Sequence, residues 1–408
     1  MSIVRLAIAG AALVGAVGLA AVSGGGGGEE EAAAPLTNSA TLAIGEAEAD
    51  AHGIDYARFD RRLQRLMDEN GMVGLSVGVV ENGHIHFLKG YGETENGSGE
   101  MVSPDTVFRW ASVSKGVAGV LTAKLADEGR LRLDESIARF SGNLQLPGGA
   151  QREARVRDVL SHRLGLWRNA YDDRLEDGAD PDQIRRDLME TNLTCQPGTC
   201  WSYQNVAFDA VTDVVEKVTG TTYQQAAHDR LFVPLGMTST SMTRGGLVDQ
   251  PSWARPHSTG KRVLEVKQPY YSVPAAGGIN SNIKDLAIWL QAQMGLFPEV
   301  VSPQTLATAH APIVRTPSEN SRLRKFRERV SEPYYGLGWR IYDYEGHTIV
   351  GHRGGVDGYR SLILFDPELK TGVVAMWNSN VSKPWGLQYE LMDLVYGLEF
   401  RDWLELDS

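Results

Sequence analysis

A serine and a lysine three residues apart can act as nucleophile and base if a helix sets them on one face, because positions i and i+3 are neighbours there. The chain offers this spacing three times, at Ser112 and Lys115, Ser258 and Lys261, and Ser281 and Lys284. Context separates them. Ser112 opens a stretch to Glu128 in which Val117, Val120, Leu121 and Leu125 keep a helical period and Gly129 ends it, so the pair falls at the start of a mostly buried helix. Free backbone N–H groups at a helix start can hold an oxyanion. A lysine starved of water beside the positive end of the helix dipole can serve as a base. Ser114 and Gly116, both small, leave room for a substrate. Ser258 instead lies in HSTGKRV, which predicts a loop. Ser281 starts a helix, but as an N-cap between Asn280 and Asn282, and Asp285 marks Lys284 as a solvated residue.

Other motifs compete for a role. Gly74-Leu75-Ser76-Val77-Gly78 has the G-x-S-x-G spacing of a nucleophile elbow, which requires a strand, a sharp turn and a helix. Here it runs on into VVENGHIHF, so Ser76 is read as a strand residue. Lys370-Thr371-Gly372 follows the hairpin turn Asp366-Pro367-Glu368-Leu369, which points the lysine to solvent. His352-Arg353-Gly354-Gly355, between HTIVGH and YRSLILF, sits on a strand whose glycines let backbone face a ligand; an ordinary strand histidine is the alternative. Tyr203-Gln204-Asn205 is the only Tyr-x-Asn in the chain and precedes a helix. A phenol near an ammonium can relay a proton and an amide can fix both a lysine and a substrate carbonyl, while the plainer alternative is a tyrosine packed at a helix entrance. His84 and His86 offer too few ligands on one strand face for a metal, so none is expected. Cys195 and Cys200, the only cysteines, could bridge across Pro197-Gly198 in an oxidising compartment or remain thiols. Trp110, Trp167 and Trp339 could line a cleft or fill the core.

The elements that must position these residues follow from periodicity. Tyr56 to Asn70 carries the stripe Phe59, Leu63, Leu66 and Met67 of a helix, and Asn82-Gly83 joins two alternating strands as a hairpin. Residues 130–240 read as a helical region through RVRDVLSHRLGL, PDQIRRDLMETN and NVAFDAVTDVVEKVTG. A helix over IKDLAIWLQAQM follows, then strands in GLGWRIYDYEG, HTIVGH, YRSLILFDP and TGVVAMWNS, and a closing helix from Trp385 to Leu398. Strands at both ends with helices between them imply an α/β (α+β sandwich) fold: one antiparallel sheet flanked by helices, with an inserted all-helical subdomain.

With 408 residues, 42% hydrophobic and 22% charged, the chain can bury one large core, and a net charge of -11 excludes a nucleic-acid partner, which would need a basic face. Arg5, the apolar run Leu6 to Val22, and Ala21 and Ser23 predict a signal peptide over residues 1–23 and a periplasmic or secreted protein. Membrane contact is expected only if that segment stays uncleaved. Residues 24–53, beginning GGGGGEEEAAAP, read as a disordered linker, and 54–405 as the catalytic domain.

Ser112-x-x-Lys115, Tyr203-x-Asn205 and His352-x-Gly354, in that order, resemble the class C β-lactamase and D-alanyl-D-alanine carboxypeptidase family with its related esterases. LSHRLGL, PGTCWSYQN, AAGGINSNIKDLAIW and GHRGGVDGYRS extend the likeness over roughly residues 55–400. The resemblance implies an α/β sandwich beside an all-helical region with the site between them, and acyl transfer from a small-molecule or peptide donor without metal or cofactor. It makes Ser112 the nucleophile, Lys115 its activating partner and Tyr203 the group that passes the proton to the leaving group. Asn205 would position substrate and Lys115, His352 fills the third motif, backbone N–H groups of Ser112 and Gly355 would form the oxyanion hole, and Asn169 would contact a substrate amide. Lactamases of this class carry Lys-Thr-Gly where this chain has His-Arg-Gly, which weighs against β-lactam turnover. Arg353 either faces away from the site or forks onto a substrate carboxylate. Esters or amides are expected first, D-Ala-D-Ala peptides next and β-lactams third. The reading from another class is a noncatalytic penicillin-recognising or scaffold protein.

Overall fold

The computed structural model describes residues 53–321 and 323–407. The expected signal peptide, and all of the expected linker except Gly53, lie outside them. The described chain begins with a capped helix: the Asp55 carboxylate accepts from Arg58 N at 2.8 Å, and α1 (Tyr56–Met67) buries Phe59, Leu63 and Leu66. The expected hairpin follows. β1 (Gly74–Glu81) and β2 (His84–Gly92) turn at Asn82 and Gly83, whose φ values are 50° and 83°.

These strands form an edge of an eight-stranded sheet completed by the C-terminal half. A small pair intervenes, β3 (Phe108–Arg109) with β4 (Asn280–Ser281). Then come β5 (Val314–Arg315), β6 (Val330–Tyr335), β7 (Arg340–Tyr344), β8 (His347–Val356), β9 (Tyr359–Asp366) and β10 (Thr371–Trp377). The order is β2-β1-β10-β9-β8-β7-β6-β5, every neighbouring pair antiparallel. β1 and β10 are buried at every residue, which is why TGVVAMW reads as a continuous apolar run rather than an alternation. One face packs with α1 and the closing helix Leu387–Val395, the other with Ile283–Gln293 and the helical region.

α2 (Ser114–Asp127) runs through the larger core, buried on nearly all sides. Each of Val117, Val120, Leu121 and Leu125 contributes about 1.5–3 kcal/mol by burial. Ser112 lies just before it, in a 3-10 turn over Ala111–Val113. Ala111 holds φ at +47°, a left-handed conformation rare for a residue with a side chain.

Several local expectations need correction. RVRDVLSHRLGL is helical only over Val156–Leu160, because His162 and Gly165 take φ values of 58° and 80°. The closing helix starts at Leu387, after a 3-10 turn at Lys383–Gly386 that contains Pro384. Ser281 is a strand residue of β4; the N-cap is Asn282, whose side chain accepts from Asp285 N. Gly116 makes no space for a substrate, since a β-carbon there would lie 2.6 Å from the Trp339 ring. Ser114 is buried, with its hydroxyl accepting from Ile279 N.

Candidate active site

The helical region presents one polar segment to the sheet. The Cys195–Cys200 disulfide closes a turn at Gly198, whose N–H donates to Arg163 O at 2.7 Å. Beyond it the chain is pinned to His162 on both sides of Tyr203: Ser202 N donates to the His162 carbonyl at 2.9 Å, and Gln204 N to His162 Nδ1 at 3.1 Å. Asn169 N donates to the Tyr203 carbonyl at 2.8 Å. The phrases LSHRLGL and PGTCWSYQN are therefore two halves of one mount for Tyr203.

On the other side, Gly354 lets the turn that carries Ser112 lie against β8. A β-carbon at Gly354 would stand 2.1 Å from Trp110 O and 2.2 Å from Ser361 Oγ. The Ser361 hydroxyl donates to Trp110 O at 2.5 Å and ties the turn to β9. Ser112, Asn169, Tyr203, Asn205, Gly354 and Gly355 meet around one cavity of about 920 Å³. The Lys115 side chain is buried behind Ser112. Its Nζ donates to Asn205 Oδ1 at 2.7 Å and to Ala276 O at 2.8 Å, and stands 3.5 Å from Ser112 Oγ. Lys115 Nζ also lies 4.8 Å from the centre of the Tyr203 ring. Arg168 and Arg340 flank the same ring at 5.5 and 5.8 Å, and both guanidiniums bond Glu319.

His352 is placed differently from the other motif residues. It is buried, does not line the cavity, and lies behind Tyr203 with ring centres 6.3 Å apart. Its Nδ1 is 2.8 Å from Arg353 O, which can only accept, so Nδ1 carries the proton and Nε2 accepts from Tyr335 Oη at 3.0 Å. Tyr335 Oη then accepts from His162 Nε2 at 3.1 Å, and His162 Nδ1 accepts from Gln204 N. The chain of donors has one direction and requires both imidazoles to be neutral. Burial, with Arg340 and Lys115 nearby, holds the His352 ring well below the usual histidine range; burial, with Lys115 the strongest of the opposing cations, does the same for His162. Burial pushes the Tyr335 hydroxyl far up, so it stays a donor.

Sequence reasoning did not find Tyr335, His162 or Asp172 as site residues. Asp172 Oδ2 accepts from Asn205 Nδ2 at 2.6 Å. Burial lifts its carboxyl to about 6, against the opposing pull of that hydrogen bond and of Lys115. Arg353 alternates with His352 along β8, donating to Tyr389 Oη at 2.9 Å with its guanidinium over Phe326 and Trp385, and it lines the same cavity as Ser112. Trp110 and Trp339 are core residues, and Trp167 packs edge-on against Tyr171 outside the cavity lining. The competing motifs stand apart. Ser76 is buried in β1, Lys370 is exposed at the β9–β10 turn, and Lys284 pairs with Asp105 at 2.7 Å. Lys261 sits in a loop with φ of 60°.

A mixed α/β sandwich that brings Ser-x-x-Lys against Tyr-x-Asn between sheet and helices defines a β-lactamase-like protein. The chain belongs to the Beta-lactamase family, whose sequence model matches residues 59–396. Among characterised proteins it is 25% identical over 362 residues to the unguisins hydrolase ungD' of Aspergillus campestris, covering 82% of this chain and 64% of that protein. It is 23% identical over 342 residues to protein flp of Staphylococcus aureus, covering 79% and 63%. The chain thus spans somewhat less than two thirds of the length of these relatives. Its fold is shared with the octameric penicillin-binding protein homologue from Pyrococcus abyssi, at TM-score 0.75 and 24% identity over 85% of this chain and 78% of that one. It is also shared with a beta-lactamase/D-alanine carboxypeptidase from Pseudomonas syringae, at TM-score 0.69 and 19% identity over 84% and 98%.

Proposed function

We propose that the protein hydrolyses an ester or amide through an acyl-enzyme on Ser112. The observation that carries this is the bonding of Lys115. Lys115 Nζ has two acceptors, Asn205 Oδ1 and Ala276 O, and in the base form that this reaction calls for its two N–H bonds go to them. The lone pair of that form would face the Ser112 hydroxyl, 3.5 Å away. As Ser112 Oγ adds to the carbonyl carbon, its proton passes to Lys115 Nζ and the carbonyl becomes an oxyanion held by the N–H groups of Ser112 and Gly355. Tyr203, ringed by Lys115, Arg168 and Arg340, delivers a proton to the departing oxygen or nitrogen as the tetrahedral carbon collapses to the acyl-enzyme, and recovers one from Lys115. Water then adds to the acyl carbon and Ser112 leaves with a proton. Asn169, at the cavity wall, is suited to meet a substrate amide. His352 contributes from behind, keeping Tyr335 and the Tyr203 mount in register.

Esters or simple amides rank first as acyl donors, D-Ala-D-Ala peptides second and β-lactams third, since the third motif offers no lysine ammonium to the cavity. The names of the relatives, an unguisins hydrolase and a D-stereospecific amidohydrolase from Streptomyces sp., are those of hydrolases and favour amide chemistry within this range. The disulfide supports export to an oxidising compartment, periplasmic or extracellular, as Arg5 and the apolar run after it suggest. Ser112→Ala should abolish both p-nitrophenyl ester turnover and labelling by a fluorescent phosphonate. Labelling that persists in that variant would move the nucleophile elsewhere, and a wild-type chain that never labels would favour a noncatalytic role.

A further inference from the structure

From its place behind Asn205, we infer that Asp172 is a positioning residue for the Lys115 base. The inference rests on Ser112 and Lys115 being the reacting pair. An asparagine amide can present either its oxygen or its NH₂ to a neighbour, and the two choices have opposite consequences for a neutral lysine. With Oδ1 turned to Nζ, the amide takes up an N–H and the lone pair remains toward Ser112. With Nδ2 turned to Nζ, the amide donates into the lone pair and the base is lost.

Asp172 decides between them. Its carboxylate, 7% exposed, can only accept, and Oδ2 lies 2.6 Å from Asn205 Nδ2, so the NH₂ end is drawn away from the lysine. The other oxygen, Oδ1, has no hydrogen-bond partner among the described residues. A purely structural carboxylate would bring a second bond or a cation to offset its burial. The opposing charge that acts on Asp172 is that of Lys115, reached through the amide. The group thus carries a folding penalty at the cavity wall, where its one hydrogen bond among the described residues goes to Asn205. Asp172 ends as a support for Lys115 without touching the Ser112 hydroxyl.

The test uses ester turnover by the purified full chain at pH 8. Asp172→Ala should lower kcat by about 10- to 100-fold with KM within about twofold, because the base is misaligned while the cavity persists. Asp172→Asn keeps an acceptor oxygen in place and should recover most of the rate. A reciprocal exchange removes dependence on a variant that leaves a hole. Asn205→Asp sets two carboxyl groups face to face and should be slow, whereas Asn205→Asp combined with Asp172→Asn restores an acceptor toward Lys115 and a donor behind it and should be faster than the single change. Unaltered kcat in Asp172→Ala, a rise in KM alone, or an exchange no faster than Asn205→Asp would each overturn the inference. Ser112→Ala run alongside separates the two levels: if it stays active the nucleophile assignment fails, and if it is dead while Asp172→Ala is normal only the positioning role fails.

Discussion

Asp172→Asn should make the protein more stable, and by an amount that depends on pH. Burial raises the Asp172 carboxyl from 3.8 to about 6. An acid whose folded value lies above its unfolded one holds its proton longer in the native state, so the penalty is absent below the unfolded value, grows between 3.8 and about 6, and is constant above. At about 1.4 kcal/mol per unit, ionised Asp172 costs the native state about 3 kcal/mol at pH 7.5 and under about 1 kcal/mol at pH 4. Asparagine has the same shape and keeps an oxygen for Asn205 Nδ2, and its NH₂ replaces an oxygen that has no partner among the described residues. The packing terms therefore nearly cancel and the charge term remains. Urea unfolding of both proteins at pH 4 and pH 7.5 measures it. The expected gain is about 2–3 kcal/mol at pH 7.5, shrinking toward pH 4. A gain of equal size at both values, or none at pH 7.5, would show that the carboxylate is not held at a cost.

Four further outcomes are expected. Gly354→Ala forces a β-carbon into Trp110 O and Ser361 Oγ, so it should displace the turn that carries Ser112, lose about 10²-fold or more in kcat/KM and lower the melting temperature. Tyr203→Phe keeps the ring among its cations but removes the proton carrier, and should cut acylation of an amide by about 10²-fold, with a smaller effect on a p-nitrophenyl ester, whose leaving group needs no proton. Ser76→Ala should leave ester turnover unchanged, as expected for a serine buried in β1. Replacing Cys200 by serine opens a loop of only a few residues and should cost about 2 kcal/mol in urea unfolding.

Much of the site was legible because its parts are local. Ser112 and Lys115 announce themselves by helical spacing, the Asn82-Gly83 hairpin by two residues that tolerate positive φ, and the sheet by strands at both ends of the chain. What escaped was set by contacts between distant segments. No spacing links Asp172 to Asn205, or ties Tyr335 to both His162 and His352, since these meet only after the helical region docks on the sheet. β6 was missed because Val330–Tyr335 carries a bulge between Ser331 and Tyr334 and a proline at 333, which break the alternation that marks a strand. Gly116 was misjudged for a related reason. A glycine in a buried helix shows that something comes close, and the sequence does not say whether that is a ligand or, as here, Trp339.

Ala111, one residue before Ser112, is held in a left-handed backbone that costs of order 1–3 kcal/mol. The chain bends there as a loaded spring, and the clamp from Ser361 onto Trp110 keeps it loaded. Glycine at 111 would relax the spring while letting Ser112 drift, and valine or isoleucine would strain it further, so the position constrains sequence even though its methyl group performs no chemistry.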